Sequence, residues 1–214
     1  MHLILASGSP RRRELLARLG WTFAVIRPDI DETPLPAESP DKYVARLSRE
    51  KAAAGRALIT MDSWDDPTWV IAADTTVALG PDILGKPTDV AEATAMLQRL
   101  RGQTHVVFTG ITVVRVDTEL VETSVTATEV CMRYYADDEI ARYVASGDPY
   151  DKAGSYAIQH EFFRPVERIE GCYANVMGLP LCTLYRLLVA QGIEPTTTLP
   201  CDPTAANHCV VQSE

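Results

Sequence analysis

The start of the chain, LILASGSPRRRELL at residues 3–16, restricts the possible folds more than any other segment. Its first four residues predict a short buried strand, and Ser9 followed by Pro10 predicts the N-cap and first position of a helix. Helical and extended patterns then alternate along the chain, and residues 105–116 and 120–134 are typical of a hairpin. This alternation predicts an α/β fold with a mixed β-sheet.

Local patterns predict the remaining elements, with helices that begin at capping residues and end at glycines. The predicted helices cover residues 10–19, 40–58, 89–101, 137–146 and 180–191, and the predicted strands cover residues 3–6, 21–26, 70–79, 105–116, 120–134, 154–159 and 164–169. No internal repeat or linker interrupts the pattern, so we expect one domain over residues 1–193 and a flexible tail over residues 194–214. Residues 61–69 are interpreted as a surface insertion.

Composition excludes several classes of protein. The net charge of -9 disfavours a nucleic-acid-binding face, which needs a basic surface, but it leaves room for a small anion in one pocket. No apolar run approaches the roughly 20 residues that span a bilayer. The five cysteines include no CxxC pair, which argues against a zinc ribbon or a disulfide framework, so we interpret them as small buried apolar side chains or bystanders. We therefore expect a cytoplasmic protein without a membrane anchor.

The three arginines at residues 11–13 conflict with the helix that they begin. A helix N-terminus carries partial positive charge and favours acidic neighbours. A bound phosphate would resolve the conflict, because free backbone N–H groups and guanidinium groups both bind anions. The alternative is a solvated basic turn. Because the loop follows a buried strand, we favour an anion site.

Carboxylates supply the second group of candidates. Asp74 interrupts the otherwise apolar run VIAADTTVAL, where burying a carboxylate is costly unless it is paired or binds a metal. A satisfied strand-end aspartate is the alternative. The acidic segment at residues 29–32 offers Glu32 as a second carboxylate. Because Mg²⁺ accepts one or two carboxylates together with phosphate oxygens, Asp74 and Glu32 would suffice for a metal site.

Three lysines lie in positions that suggest a site. Lys51 follows Val44 and Leu47 on one helical stripe, so it either extends along the apolar face to solvent or points into a site. Lys86 ends GPDILGK, which resembles the P-loop pattern. A P-loop is rejected, because proline replaces the Ser or Thr that holds Mg²⁺. Lys152 lies in a charged turn before Gln159, whose amide has a donor and an acceptor for a base edge.

Taken together, these motifs resemble the Maf-like nucleotide pyrophosphatases over residues 3–192. The motifs that carry the resemblance are LILASGSPRRRELL, DIDE at 29–32, EKA at 50–52, ADTTV at 73–77, LGKP at 84–87, MLQRLRGQTHVVFTG, DKAGSYAIQ at 151–159 and GLP at 178–180. The resemblance implies an elongated mixed sheet flanked by helices, similar to the inosine triphosphate pyrophosphatases, with two lobes around a cleft. It also implies a divalent cation (Mg²⁺ or Mn²⁺), a homodimer, and hydrolysis of a nucleoside triphosphate to the monophosphate and pyrophosphate.

The resemblance also implies roles for individual residues. Asp74 matches the family's proton acceptor, and Glu32, Lys51 and Lys86 match positions that handle phosphate and metal. We therefore expect these four residues to be catalytic, with Asp74 and Glu32 as the metal ligands. Ser9, Arg12 and Lys152 match positions that handle phosphate. The branch that acts on dTTP and UTP has an arginine, a threonine and a glutamine at its specificity positions, which match Arg11, Thr75 and Gln159.

Two other functions stay open at this point. The chain could be a nucleotide-binding regulator of cell division without catalysis, or a pyrophosphatase of the branch that acts on methylated GTP. A nucleic-acid-binding module is disfavoured by the net charge of -9. Pyrophosphate release from a panel of triphosphates would separate these alternatives.

Overall fold

One mixed β-sheet organises the protein, whose structure, a computed structural model, describes residues 1–59, 66–194 and 208–209. The strands are β1 (His2–Ala6), β2 (Phe23–Ile26), β3 (Thr68–Leu79), β4 (Asp82–Leu84), β5 (Thr104–Arg115), β6 (Val121–Met132), β7 (Val166–Cys172) and β8 (His208–Cys209). The helices are α1 (Pro10–Ala17), α2 (Pro40–Ala57), α3 (Val90–Leu100), α4 (Asp137–Ala145), α5 (Tyr173–Val176) and α6 (Leu181–Val189).

The strand order in the sheet is β2-β1-β3-β5-β6-β7-β8, and β4 pairs with the end of β3. The pairs β1–β2, β1–β3 and β7–β8 are parallel, and the other pairs are antiparallel. Because β3, β5 and β6 have 12 residues each, the sheet is long in the strand direction. The predicted elongated, mixed α/β sheet flanked by helices is confirmed.

The apolar core is divided into clusters along the sheet. Trp69, Ile71 and Ala73 of β3 pack with α1 and α6 on one face, whereas Val70 and Ala72 pack beneath α2 on the other. A further cluster joins the C-terminal part of β3 and the N-terminal part of β5 to α3, α4 and the segment before β7. Successive residues of a strand point to opposite faces, so this alternation also fixes where the polar residues that follow Ala73 must point.

Helix α2 lies unusually close to the sheet at one position. A Cβ on Gly110 of β5 would be 2.4 Å from the carbonyl oxygen of Val44, so only glycine permits this approach. Gly110 is the cross-strand partner of Asp74. The close approach therefore brings the next turns of α2, including Lys51, to the centre of the sheet where Asp74 lies.

Several local predictions were wrong. Residues 154–159 form no strand, because Gly154 and Ser155 have positive φ angles of 70° and 62° and close a tight turn. The strand β4 lies inside a segment predicted as a loop, and α5 was not predicted. Cys182 is disulfide-bonded, so it is not a bystander.

Two further predictions concern segments that the structure describes only in part. The proposed insertion at residues 61–69 falls partly outside the described residues, and β3 begins within it at Thr68. The predicted tail at residues 194–214 lies outside them except for Glu194 and the two residues of β8. Within the described ranges, no helix is long and apolar enough to cross a membrane.

Candidate active site

A cleft of about 730 Å³ contains every residue that the sequence analysis selected. Its walls come from the loop after β1, the centre of β3, the loop after β4 and the turns that precede β7. The predicted site residues that line it are Ser9, Arg11, Arg12, Glu32, Lys51, Asp74, Thr75, Lys86, Lys152 and Gln159. The fold thus brings together positions that are spread over 150 residues of the sequence.

Asp74 lies near the middle of β3, and its side chain is only 8% exposed. It continues the face of β3 on which Val70 and Ala72 pack beneath α2. Burying a carboxylate without a partner is costly. Lys51 of α2 supplies the partner, with its Nζ 2.6 Å from Asp74 Oδ1. Of the two alternatives for Lys51, the structure has the one in which the side chain points into a site.

Lys51 joins two carboxylates that come from different parts of the chain. Its Nζ lies 2.7 Å from Oε1 of Glu32, in addition to its contact with Asp74. Partial burial would raise the pKa of Glu32, but the hydrogen bond and charge of Lys51, with the charges of Lys86 and Arg12, lower that pKa overall. Glu32 therefore stays ionised at the mouth of the cleft.

The donor set of Glu32 and Asp74 fits a divalent cation. Both carboxylates approach one nitrogen atom within 2.7 Å, so a single small cation could contact both. Across the described ranges, no three or more His, Cys, Asp or Glu side chains form a metal-binding group. Mg²⁺ is usually held by one or two carboxylates and takes its other ligands from water and substrate phosphates. Two carboxylates are therefore enough if the substrate supplies phosphate oxygens.

Arg12 is held on the other face of β3. Its Nε donates to the carbonyl oxygen of Gly178 at 2.8 Å, and its Nη2 donates to Thr75 Oγ1 at 2.9 Å. Nη1 donates to Ser7 Oγ at 3.3 Å. Burial lowers the pKa of Arg12, and the negative charges of Asp74 and Glu32 oppose that shift. These contacts fix a cation at the base of the cleft.

The loop between β1 and α1 has the predicted capping geometry. Ser9 is the N-cap, and its Oγ accepts a hydrogen bond from the backbone N–H of Arg12 at 3.4 Å. Pro10 occupies the first turn, which contains no acidic residue. Arg13 is exposed, whereas Arg11 and Arg12 line the cleft. Pro10 has no N–H and the Arg12 N–H is used by the N-cap, so the first turn of α1 offers an anion mainly the guanidinium groups of Arg11 and Arg12.

Lys152 is the second lysine of the cleft that lies between two carboxylates. Lys152 Nζ lies 2.9 Å from Asp148 Oδ1 and 2.6 Å from Asp151 Oδ1, and its side chain is 8% exposed. Arg11 Nη2 lies 3.5 Å from Asp151 Oδ2. The predicted phosphate contact of Lys152 stays a prediction, because its ammonium group is already occupied by these two aspartates.

The remaining predicted residues, Lys86, Gln159 and Thr75, also line the cleft. Lys86 and Gln159 are exposed and line it, and within the described ranges Lys86 forms no ion pair. Thr75 Oγ1 accepts a hydrogen bond from Arg12 and lies 2.9 Å from Thr109 Oγ1. The lining of the cleft also includes the side chains Val77, Ile83, Val107, Tyr156, Ile158 and Met177, and four of these (Val77, Val107, Tyr156 and Ile158) belong to one apolar cluster.

Tyr43 lines the cleft but was not selected from the sequence. Its hydroxyl donates to the carbonyl oxygen of Glu32 at 2.8 Å. Burial, followed by the negative charges of Asp74 and Glu32, raises the pKa of Tyr43 to about 12, so the hydroxyl stays protonated. Its spacing of eight residues from Lys51, about two helical turns, was a signal that could have indicated a shared side of α2.

Comparisons with known proteins show which family the chain is similar to. A family model described as Maf-like protein matches residues 2–191. A dTTP/UTP pyrophosphatase from Myxococcus xanthus (strain DK1622) is 48% identical over 191 residues, covering 89% of this chain and 93% of that protein. Proteins of the same name from Hahella chejuensis (46% identical; 90% of this chain, 93% of that protein) and Vibrio cholerae (47% identical; 87% and 96%) are also similar.

Among solved structures, the Staphylococcus aureus Ham1 protein is similar with a TM-score of 0.41 and 15% identity. The likeness covers 64% of this chain and 73% of that one.

Proposed function

This chain belongs to the Maf-like protein family, and we propose that it hydrolyses nucleoside triphosphates, with dTTP and UTP preferred, to the monophosphate and pyrophosphate. The observation that carries the proposal is the ion pair of Lys51 with both Glu32 and Asp74 in one cleft. Opposite charges are arranged there around an opening that the N-terminus of α1 also lines. Such a site suits a polyanion that is cleaved with the help of carboxylates.

The triphosphate would be bound at the N-terminal end of α1. Arg12 is already oriented by Ser7, Thr75 and Gly178, so little side-chain entropy is lost when it contacts phosphate. Lys86, which forms no ion pair within the described ranges, can move to the charge of the departing pyrophosphate. In this site, as in phosphoryl transfer generally, positioning and charge stabilisation lower the barrier.

Asp74 is the proposed proton acceptor. Lys51 donates a hydrogen bond to Asp74 Oδ1. The other carboxylate oxygen of Asp74 makes no hydrogen bond within the described ranges, so it is left for a water molecule. Asp74 would take a proton from this water as the water attacks the α-phosphorus in line with the leaving pyrophosphate. Lys51 would fix the orientation of the carboxylate through its contact with Asp74 Oδ1.

A divalent cation, Mg²⁺ or Mn²⁺, is part of the proposal. Glu32 and Asp74 are the residues that would hold it, and when bound it would neutralise charge on the phosphate oxygens. Lys51, between the same carboxylates, would then contact the phosphates or one carboxylate.

The base would lie against the apolar side chains of the lining. Gln159, which also lines the cleft, has a donor and an acceptor for the pyrimidine, and Arg11 and Thr75 complete the specificity positions that the resemblance predicts. Because dTTP and UTP differ only by a methyl and a 2′-hydroxyl group, an apolar pocket discriminates between them weakly. Both are therefore expected substrates.

The test is pyrophosphate release by the purified full-length chain with Mg²⁺ or Mn²⁺. We expect the highest kcat/KM with dTTP and UTP, lower values with GTP and 7-methyl-GTP, and no release in the presence of a chelator. Equal kcat/KM for GTP and dTTP would contradict the pyrimidine assignment. Tight binding of dTTP without turnover would instead support a non-catalytic regulator.

The proposal also includes a cytoplasmic homodimer that does not bind nucleic acid. The family resemblance supports the dimer, and the net charge of -9 supports the absence of nucleic-acid binding. Sedimentation of the purified chain should give twice the monomer mass, and random duplex DNA should not shift its mobility at low salt.

A further inference from the structure

The segment that carries Glu32 is attached to α2 by two side chains that no part of the proposed mechanism uses. Residues 28–39, here called the acidic loop, contain no helix or strand, and most of their side chains are exposed. A loop without its own core has many accessible conformations. Glu32 therefore needs an external support if its carboxylate is to stay beside Lys51.

Arg46 of α2 holds the acidic loop through its guanidinium group, all three nitrogens of which donate hydrogen bonds. Its Nε and Nη2 each donate to a different carboxylate oxygen of Glu38 at 2.7 Å. Nη2 also donates to the carbonyl oxygen of Thr33 at 3.1 Å, and Nη1 donates to Glu50 at 3.2 Å. A bidentate Arg–carboxylate pair fixes orientation as well as distance, which a lysine cannot reproduce.

Glu38 passes this support on to the backbone of the acidic loop. Its side chain is only 7% exposed, and Oε2 accepts the backbone N–H of Leu35 at 3.0 Å. Arg46 therefore holds the loop at Thr33 directly and at Leu35 through Glu38. Both positions lie within three residues of Glu32.

Tyr43 supplies the second support at Glu32 itself, because its hydroxyl donates to the carbonyl oxygen of that residue at 2.8 Å. Tyr43, Arg46 and Lys51 all belong to α2. One helix thus presents the lysine and also holds the loop whose carboxylate the lysine contacts.

We propose that Arg46, together with Tyr43, is a positioning residue that sets the place of the Glu32 carboxylate relative to Lys51 and Asp74. The inference rests on the proposed function, because the position of Glu32 matters only if this cleft performs the hydrolysis. A purely structural role for Arg46 would come from its pair with Glu50, four residues later on the same helix. The experiment has to separate these two roles.

The variants are Arg46→Ala, Arg46→Lys and, as a matched control, Arg49→Ala. Arg49 is an exposed arginine of the same helix, and its side chain forms no hydrogen bond or ion pair within the described ranges. We expect Arg46→Ala to lower kcat about 10- to 100-fold and to raise the Mg²⁺ concentration for half-maximal activity, as loss of a residue that orients a ligand does. Arg46→Lys should recover part of the loss, and Arg49→Ala should behave as the unmodified protein.

Hydrogen exchange gives a readout that does not depend on activity. The amide of Leu35 should exchange at least about 10-fold faster in Arg46→Ala, while amides inside α2 keep their protection. Equal loss of protection throughout α2 would show a structural role and overturn the inference. So would unchanged exchange at Leu35.

A double-mutant comparison tests whether Arg46 acts through Glu32. In a Glu32→Gln background, Arg46→Ala should lower kcat less than about threefold, because the carboxylate that it positions is gone. If the two losses multiply, Arg46 acts independently of Glu32 and the inference is wrong. Absence of turnover by the unmodified protein would overturn the proposed function and the catalytic consequence with it, whereas normal turnover with independent losses overturns the inference alone.

Discussion

Two lysines in the lining of the cleft each lie between two carboxylates, but the chain brings the two clusters together in different ways. Lys51 is 2.7 Å from Glu32 and 2.6 Å from Asp74, and Lys152 is 2.9 Å from Asp148 and 2.6 Å from Asp151. In each cluster, one lysine therefore lies within 2.9 Å of two carboxylates. Charge and distance alone do not tell which cluster performs chemistry.

The difference lies in how the members are brought together. Lys51 and Asp74 are 23 residues apart and meet only because α2 approaches β5 at Gly110. Lys152 and its partners belong to one turn and are at most four residues apart. A local cluster can form with little loss of chain entropy, so it suits the support of a turn, whereas a long-range cluster in a cleft is costly and indicates function.

Replacing Asp74 with asparagine should have the largest effect on activity. The amide keeps the shape and an acceptor for Lys51 but cannot take a proton, so kcat should fall about 10³-fold or more. The measurement is pyrophosphate release from dTTP under saturating Mg²⁺. The melting temperature should fall only moderately, because Lys51 loses the charge of Asp74 but keeps its ion pair with Glu32. Turnover within about threefold of the unmodified protein would exclude Asp74 as the proton acceptor.

Replacing Lys51 with methionine should lower kcat by about 10²-fold, since the charge that orients Asp74 is lost. Stability should fall by about 3 kcal/mol, because Asp74 is only 8% exposed and is left without its ion pair. Urea unfolding measures the second effect. If activity fell without any loss of stability, the pair of Lys51 with Asp74 would not form in solution.

The sequence predicted the members of the Lys51 cluster but not their geometry. Asp74 was recognisable because a carboxylate interrupts an apolar run, and Lys51 because it lies on an apolar stripe. Their contact depends on the approach at Gly110, which involves residues of two distant elements and leaves no local pattern. Tyr43 and Arg46 were missed for a similar reason, because their partners lie in a loop without periodicity.

Local geometry also limited the prediction of the Lys152 cluster. The charged turn at residues 151–154 was recognised, but residues 154–159 were predicted as a strand. The positive φ angles of Gly154 and Ser155 are backbone properties that the apolar pattern of the segment does not reveal. The sheet class, by contrast, followed from the alternation of long helices and strands, which is the most robust signal in a single sequence.

Replacing Lys152 with methionine should have a smaller effect than the same change at Lys51. If its ammonium group supports only the turn, kcat should fall less than about 10-fold and stability by about 1 kcal/mol, because Asp151 is 61% exposed and can turn to solvent. The same assays apply. A loss of kcat/KM equal to that of Lys51→Met would instead establish the phosphate contact that the resemblance predicts, and the two clusters would then both take part in the reaction.

Acid stability should show the smallest difference between the clusters. The pKa values of Glu32 and Asp148 are both lowered in the folded protein: burial opposes the shift in each, and the hydrogen bond of Lys51 to Glu32, or of Tyr143 and Lys152 to Asp148, outweighs it. A lowered folded pKa means that the stabilisation is complete above the ordinary pKa, 4.5 for Glu32 and 3.8 for Asp148, and is lost as the pH falls through the folded value. Glu32→Gln and Asp148→Asn should therefore each reduce the loss of stability between about pH 5 and about pH 3.

The effect should be smaller for Glu32, because its side chain is 47% exposed and that of Asp148 is 32% exposed. Solvent screens an exposed pair more strongly than a buried one. Thermal melting at a series of pH values measures both slopes. A steeper acid slope in Glu32→Gln than in the unmodified protein would mean that Lys51 does not stabilise the ionised Glu32. Equal slopes with unequal activities would show that the clusters differ in their place in the cleft rather than in their electrostatics.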